Sequence, residues 1–110
     1  MNKSWSNRFE IPVSDFDRAR NFYEKIFEMK VEVSDFGSFK MGIFPHKDTG
    51  GAIVQGEHYT PGPDGVVVYL NAEPDLQKVL DRVEKEGCKV LQSKKQISPE
   101  HGFMGLFIDS

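Results

Sequence analysis

Polar and apolar side chains alternate in residues 8–13 (RFEIPV), whereas residues 66–72 (VVVYLNA) begin with an apolar run and then place Tyr69 and Asn71 between apolar residues. Both segments predict β-strands, and a period of two gives a strand two faces of different polarity. A charged pair, a phenol and an amide on central strands indicate either a solvated face or a ligand site. In a ligand site, Glu10 would be the candidate general base if the protein is an enzyme. The side chains that would share this face are Arg8, Glu10, Pro12, Val67, Tyr69 and Asn71.

The alternative for this face is that it is simply wet. Arg8 and Glu10 would then form an exposed ion pair worth less than about 1 kcal/mol. A solvated face and a ligand site both remain open at the level of the sequence.

Three histidines offer other chemistry, namely His46, His58 and His101. No two of them have the i,i+2 or i,i+4 spacing that places ligands side by side on a strand or helix, so no metal cluster is predicted. Solvated loop positions account for His46 and His58. His101 is kept as a ligand-binding candidate because it opens a predicted strand that would turn its ring towards the same face. The single cysteine, Cys88, lies just after a predicted helix and is interpreted as a core residue.

The first strand must be positioned by the helix that follows it. Apolar residues recur at helical spacing from Phe16 to Phe27, and Ser14 is placed to cap the first turn. Phe9, Ile11 and Val13 should therefore pack against this helix, predicted over 15–27. The opposite side of the strand is left for function.

The rest of the chain repeats this order. Strands are predicted at 30–34, 39–44 and 52–55, with Gly50-Gly51 as part of a turn, and residues 56–65 (GEHYTPGPDG) form a connector. A strand at 66–72, a helix at 74–86 ending at Gly87, and strands at 89–92 and 102–109 follow. We predict one domain over 1–110, with a first βαβββ module at 7–55 and a second, incomplete module at 66–110.

The motif FEIPV, then Ser-Asp, then a helix with R-A-x-x-F-Y-x-x-x-F, together with the repeated order, resembles the vicinal oxygen chelate superfamily. That superfamily includes glyoxalase I, bleomycin-resistance proteins and extradiol dioxygenases. The resemblance implies an α+β fold, in which two βαβββ modules form a strongly curved mixed sheet with helices outside. The last strand of the second module would be absent from this chain.

The resemblance also implies where a metal would bind. Family ligands lie on the concave sheet face, and the positions here fall on Arg8 and Val67, which cannot coordinate a metal, and near Gln55, which could. The fourth would lie on the absent strand. We therefore expect no metal or other cofactor, although a divalent metal is retained in the enzyme alternative, and Gln55 is kept as a ligand-binding candidate.

Composition limits the function classes. The chain has 110 residues, 28% of them charged, and a net charge of −3, which gives no case for a nucleic-acid surface. No stretch reaches the apolar length of a membrane span, and one cysteine is compatible with a reducing compartment, so we expect a cytoplasmic protein.

Three functions remain. The first is a resistance-type protein that binds a small molecule in a concave cleft without the family metal. The second is a metal-dependent lyase or isomerase resembling glyoxalase I, and the third is a non-catalytic stress or regulatory module. Exposed strand edges and the incomplete second module predict a homodimer.

Overall fold

The computed structural model of the protein describes residues 7–47, 50–62, 68, 70–72, 74–98 and 102–109. The first half has the order βαβββ: β1 (Arg8–Pro12), α1 (Phe16–Phe27), β2 (Glu32–Asp35), β3 (Phe39–Ile43) and β4 (Gly50–Gly56). The second half contains α2 (Leu76–Lys85), β5 (Val90–Ser98) and β6 (Gly102–Phe107). The α+β class is therefore confirmed. Neither described helix is long and apolar enough to cross a membrane.

The first four strands form one mixed sheet in the order β1-β4-β3-β2. Strands β1 and β4 are parallel and pair Glu10 with Ala52 and Ile11 with Ile53, whereas the other two pairings are antiparallel. The α1 crossover between parallel strands leaves one side of this sheet covered by a helix.

The main core lies between α1 and that side of the sheet. Phe9 and Ile11 pack against it as predicted, and Val13 belongs to it. Ile26 of α1 and Ile53 of β4 are fully buried, which is worth roughly 1.5–3 kcal/mol for each side chain. The helix contributes every third or fourth residue to this core: Phe16, Ala19, Phe22, Tyr23 and Ile26.

The cap of α1 differs from the prediction. Asp15, not Ser14, is the N-cap residue, and its carboxylate accepts a hydrogen bond from the backbone N–H of Arg18 at 3.1 Å. Both residue types cap well, so the sequence alone left the choice within one position.

Gly50 and Gly51 were predicted to lie in a turn, and this is wrong because both belong to β4. A Cβ atom at Gly51 would overlap the ring of Phe9, its neighbour on β1. The missing side chain therefore lets the Phe9 ring lie flat across the strand.

The second half departs further from the predicted elements. Of the predicted strand 66–72, only residues 68 and 70–72 are described, and none of them is in a strand. Helix α2 begins later than predicted, with Asp75 as its cap, and Gly87 follows its end with φ +83° as expected. Strand β5 continues to Ser98 through the predicted polar loop, and it pairs with β6 as an antiparallel two-stranded ribbon.

Candidate functional site

The side of the four-stranded sheet that faces away from α1 carries the predicted polar residues of β1. The strand register places neighbouring residues of β3 and β4 on the same side. We call this side the distal face, and its residues on these three strands are Arg8, Glu10, Pro12, Phe39, Met41, Ile43, Gly50, Ala52, Val54 and Gly56.

The centre of the distal face is apolar. Ala52 and Val54 of β4 are 2% and 0% exposed, and Met41 of β3 is also buried. None of these three belongs to the core cluster around α1, so they form a separate apolar floor. The interpretation of this face as simply wet therefore applies only to the β1 row, where Arg8 and Glu10 lie.

Arg8 and Glu10 project from the same side of β1, as predicted, and their side chains form an ion pair. The Arg8 Nη2 donates to Glu10 Oε2 at 3.2 Å. The Arg8 side chain is 62% exposed and that of Glu10 is 25% exposed, so the pair itself contributes little stability. The Arg8–Glu10 pair forms a charged rim beside the apolar floor.

A cavity of about 130 Å³ lies at this rim. Arg8 forms one side of it and Ala52 of the apolar floor another. His46 borders it as well, since the imidazole ring lies against Gly50, 3.3–3.5 Å from the point a Cβ atom would occupy there. The sequence predicts His46 only as a solvated loop residue. His46 is exposed, as predicted. No spacing in the sequence indicated that Gly50 of β4 would lie next to its ring.

Gln55, a predicted ligand-binding residue, lies on the opposite side of the sheet. It pairs with Lys40 in the register and is oriented towards α1. Its Oε1 accepts a hydrogen bond from the Phe16 backbone N–H at 2.8 Å, and its Nε2 donates to the Ser14 carbonyl at 2.9 Å. The side chain thus satisfies a free N–H at the start of α1. The structure does not bring Gln55 together with Arg8 and Glu10.

The remaining predicted site residues are only partly described. Asn71 is exposed and lies outside any strand. Tyr69, Val67 and His101 lie outside the described residues. Their roles as ligand residues, or for Val67 as a lost metal position, stay predictions.

A larger cavity, of about 290 Å³, lies on the helical side of the molecule between the end of α1 and the start of α2. Three of its charged groups have partners within the fold: Arg82 donates to Glu28 at 2.9 Å, and the Asp75 carboxylate accepts from the Gln77 backbone N–H at 3.0 Å. We place the candidate site at the smaller cavity because it lies on the distal face, where an apolar floor and a charged rim meet.

A partly buried polar cluster that the sequence did not predict lies at the border of the core. The Tyr23 hydroxyl of α1 donates to Asp109 Oδ2 at 2.5 Å. Burial raises the pKa of Asp109 above its ordinary value, against the opposing effects of the Tyr23 hydrogen bond and of Arg18. Burial and the Asp109 charge together raise the pKa of Tyr23. Cys88 is partly buried against the same core, as predicted, and burial raises the pKa of its thiol.

The βαβββ order of the first half, followed by one helix and two strands, places the described chain among small α+β domains. The model of the Glyoxalase/Bleomycin resistance protein/Dioxygenase superfamily matches residues 5–104, and the chain belongs to this superfamily. No curated protein matches the sequence significantly.

Solved structures share the fold at low sequence identity. A hypothetical protein from S. aureus superposes with a TM-score of 0.68 at 17% identity, covering 98% of this chain and 88% of that one. The fosfomycin resistance protein FosX from Listeria monocytogenes gives 0.67 at 16% identity, covering 99% and 85%. Glyoxalase I from Zea mays, as its E144Q mutant, gives 0.64 at 16% identity, covering 93% of this chain and 42% of that one.

The Listeria protein has also been solved with Mn(II). A metal ion on the distal face of this chain would need side chains there that can donate a lone pair. Arg8 carries no lone pair for a metal, and its β4 neighbours on the distal face, Gly50 and Ala52, have no donor atoms in their side chains. Among the residues that the structure describes, no group of three or more His, Cys, Asp or Glu side chains could hold a metal ion. The described residues do not fit the metal.

Proposed function

We propose that the protein binds a small organic molecule on the distal face, without a divalent metal. The observation that carries this proposal is the cavity at the β1 edge, where Arg8 and His46 border the apolar floor that includes Ala52. Small-molecule sites combine apolar walls with a few polar groups that fix orientation. The cytoplasm is the compartment that we propose for it, as expected from the single cysteine.

The size of this cavity limits the ligand. At about 130 Å³ it is smaller than the ~300–1,000 Å³ of sites that enclose drug-sized molecules. It therefore suits a small ligand, or one end of a larger ligand. Tyr69, Asn71 and His101 are our candidates for further contacts.

Binding should depend on Glu10, which does not line the cavity itself but pairs with Arg8, which does. A thermal-shift screen of small molecules on metal-stripped protein would find a ligand. Glu10→Gln keeps the shape and removes the charge, and Tyr69→Phe removes a hydroxyl, so each should weaken binding by roughly 1–3 kcal/mol. Glu84→Gln, an exposed position on α2, is the matched control. Equal binding by parent, Glu10→Gln and Tyr69→Phe would mean that the distal face is a bystander.

The enzyme alternative is a metal-dependent lyase or isomerase with Glu10 as general base. Elemental analysis of protein purified without added metal distinguishes this enzyme from a binding protein that lacks a metal. Our proposal expects far less than one ion per chain, because Arg8 occupies the ligand position on β1. Zn, Ni, Mn or Fe close to one per chain would support the lyase. A protein with neither metal nor any ligand would fit the non-catalytic regulatory module.

A further inference from the structure

Three aromatic rings cluster at the end of the sheet remote from the cavity. The rings of Phe36 and Phe39 stack with centroids 4.8 Å apart and planes inclined by 20°. The ring of Tyr59 lies 6.1 Å from that of Phe39 at an angle of 47°. We call these three residues the aromatic corner.

The aromatic corner belongs to the distal face. Phe39 pairs with Gly56 of β4 and alternates with Met41 and Ile43, which line the face. A Cβ atom at Gly56 would come within 2.6 Å of the Phe39 Cβ, so glycine leaves room for this ring. Tyr59 reaches the ring from the turn after β4, where its backbone N–H donates to the Gly56 carbonyl at 3.1 Å.

A role in the buried core does not explain why residue 36 is a phenylalanine, because Phe36 is 58% exposed. Stacking on Phe39 occupies one side of its ring and leaves aromatic surface accessible beside it. With Phe39 and Tyr59 beside it, the exposed ring of Phe36 belongs to a cluster of three aromatic rings and is not an isolated apolar residue.

The carboxylate nearest in sequence to the aromatic corner on this side is that of Glu57, which lies in the same turn as Tyr59. Asp35 pairs with Lys40 across β2 and β3, so both point to the side of the sheet that α1 covers. Lys40 lies there with its Nζ 5.4 Å from the centre of the Phe16 ring. Aromatic faces carry partial negative charge, so the rings and the Glu57 carboxylate attract the same kind of group.

We propose that the aromatic corner is a subsite for a planar aromatic cation, which stacks on Phe36 and is attracted by the ring faces and by the Glu57 carboxylate. This inference rests on the proposed function, since it names a ligand class for the same face. Phe39 and Ile43 are four residues apart on β3, or about 13 Å. A ligand that reaches both the corner and the cavity is therefore elongated.

Proflavine, a planar aromatic cation, is the probe, and titration by fluorescence measures its binding. Phe36→Leu keeps an apolar side chain but removes the ring, and we expect it to weaken binding at least about threefold. Val33→Ala is the matched control, because Val33 is an exposed apolar residue of β2 on the opposite side of the sheet, and it should bind as the parent does. Naphthalene-2-sulfonate, planar but anionic, should bind about tenfold more weakly than proflavine.

Thermal melting of Phe36→Leu checks that the fold is intact. Unchanged proflavine binding by this variant, or equal binding of the sulfonate, would overturn the subsite. If other compounds bind with dependence on Glu10 while proflavine does not bind, the subsite fails and the proposed function stands. If neither proflavine nor any screened compound binds, both fail.

Discussion

The hydrogen bond between Tyr23 and Asp109 joins α1 to the residues that follow β6, and it holds a partly buried carboxylate against the core. Burial is the largest influence on Asp109, and it raises the pKa of the carboxyl group in the folded protein. A raised folded-state pKa means that the native state binds the proton more tightly than the unfolded chain does. The contribution of this group to stability is therefore greatest below the unfolded pKa of about 3.9 and is lost as pH rises through the folded pKa.

Asp109→Asn should remove this pH dependence. The amide oxygen can still accept from the Tyr23 hydroxyl, but no charge has to be buried at neutral pH. We expect the variant to be at least as stable as the parent at pH 7, with a flatter profile between about pH 4 and pH 7. Urea unfolding across that range measures this, with exposed Asp17→Asn as the control. A clear loss of stability at pH 7 would show that the charged form is favoured instead.

Local patterns determine which single residues could be predicted. Alternation along β1 is enough to place Arg8 and Glu10 together, and the structure shows them paired. Alternation could not place Gln55, because the run AIVQ in β4 is apolar on both sides of the sheet. His46 next to Gly50 and Tyr23 next to Asp109 depend on contacts between distant segments, which no local spacing reveals.

Among the secondary-structure elements, α1 and the strands of the first sheet follow their periodicity closely. The exceptions are β4, where Gly50 and Gly51 were assigned to a turn, and β5, which extends through a polar segment. In both cases strand pairing overrides the intrinsic preference of the residues. Gly51 is tolerated in β4 because the ring of Phe9 occupies the space that a side chain would fill. This contact joins two distant segments, so the composition of the segment around Gly51 cannot reveal it.

The two helices are joined by Arg82. Its Nη1 donates to the Ile26 carbonyl at 3.1 Å and its Nη2 to Glu28 Oε1 at 2.9 Å. The Arg82 side chain is 31% exposed and that of Glu28 is 71% exposed, so water screens the ionic contact but much less the contact with the carbonyl.

We expect the two partners of this contact to differ in importance. Arg82→Ala should lower the free energy of unfolding by about 1–2 kcal/mol, since it removes a donor to a carbonyl at the end of α1 together with side-chain packing. Glu28→Gln should cost less than about 0.5 kcal/mol. Urea denaturation of both variants tests this, and a larger effect at Glu28 would mean that the ion pair, not the carbonyl contact, holds the helices together.

For the molecule as a whole, the first module follows the pattern of the superfamily, and the second was harder to predict. Its described strands form a ribbon of only two strands, and a two-stranded unit is marginal by itself. Helix α2 supports one side of the ribbon, where Leu80 lies against Gly105. Leu91 and Phe103 remain 53% and 55% exposed on the ribbon.

These features support the predicted homodimer. In the described sheet the edge strands β1 and β2 each have a partner on one side only, and neither ribbon strand has a second partner. Such edges tend to pair with another chain, and burying Leu91 and Phe103 would add an apolar contribution that favours the ribbon as the interface. Multi-angle light scattering at high micromolar concentration should give twice the 12.5 kDa chain mass. Leu91→Asp should shift the protein towards monomer, whereas Val33→Asp on the edge strand β2, outside the ribbon, should not. A parent protein that stays at 12.5 kDa throughout would refute the dimer and leave the distal face of one chain to form the whole ligand site.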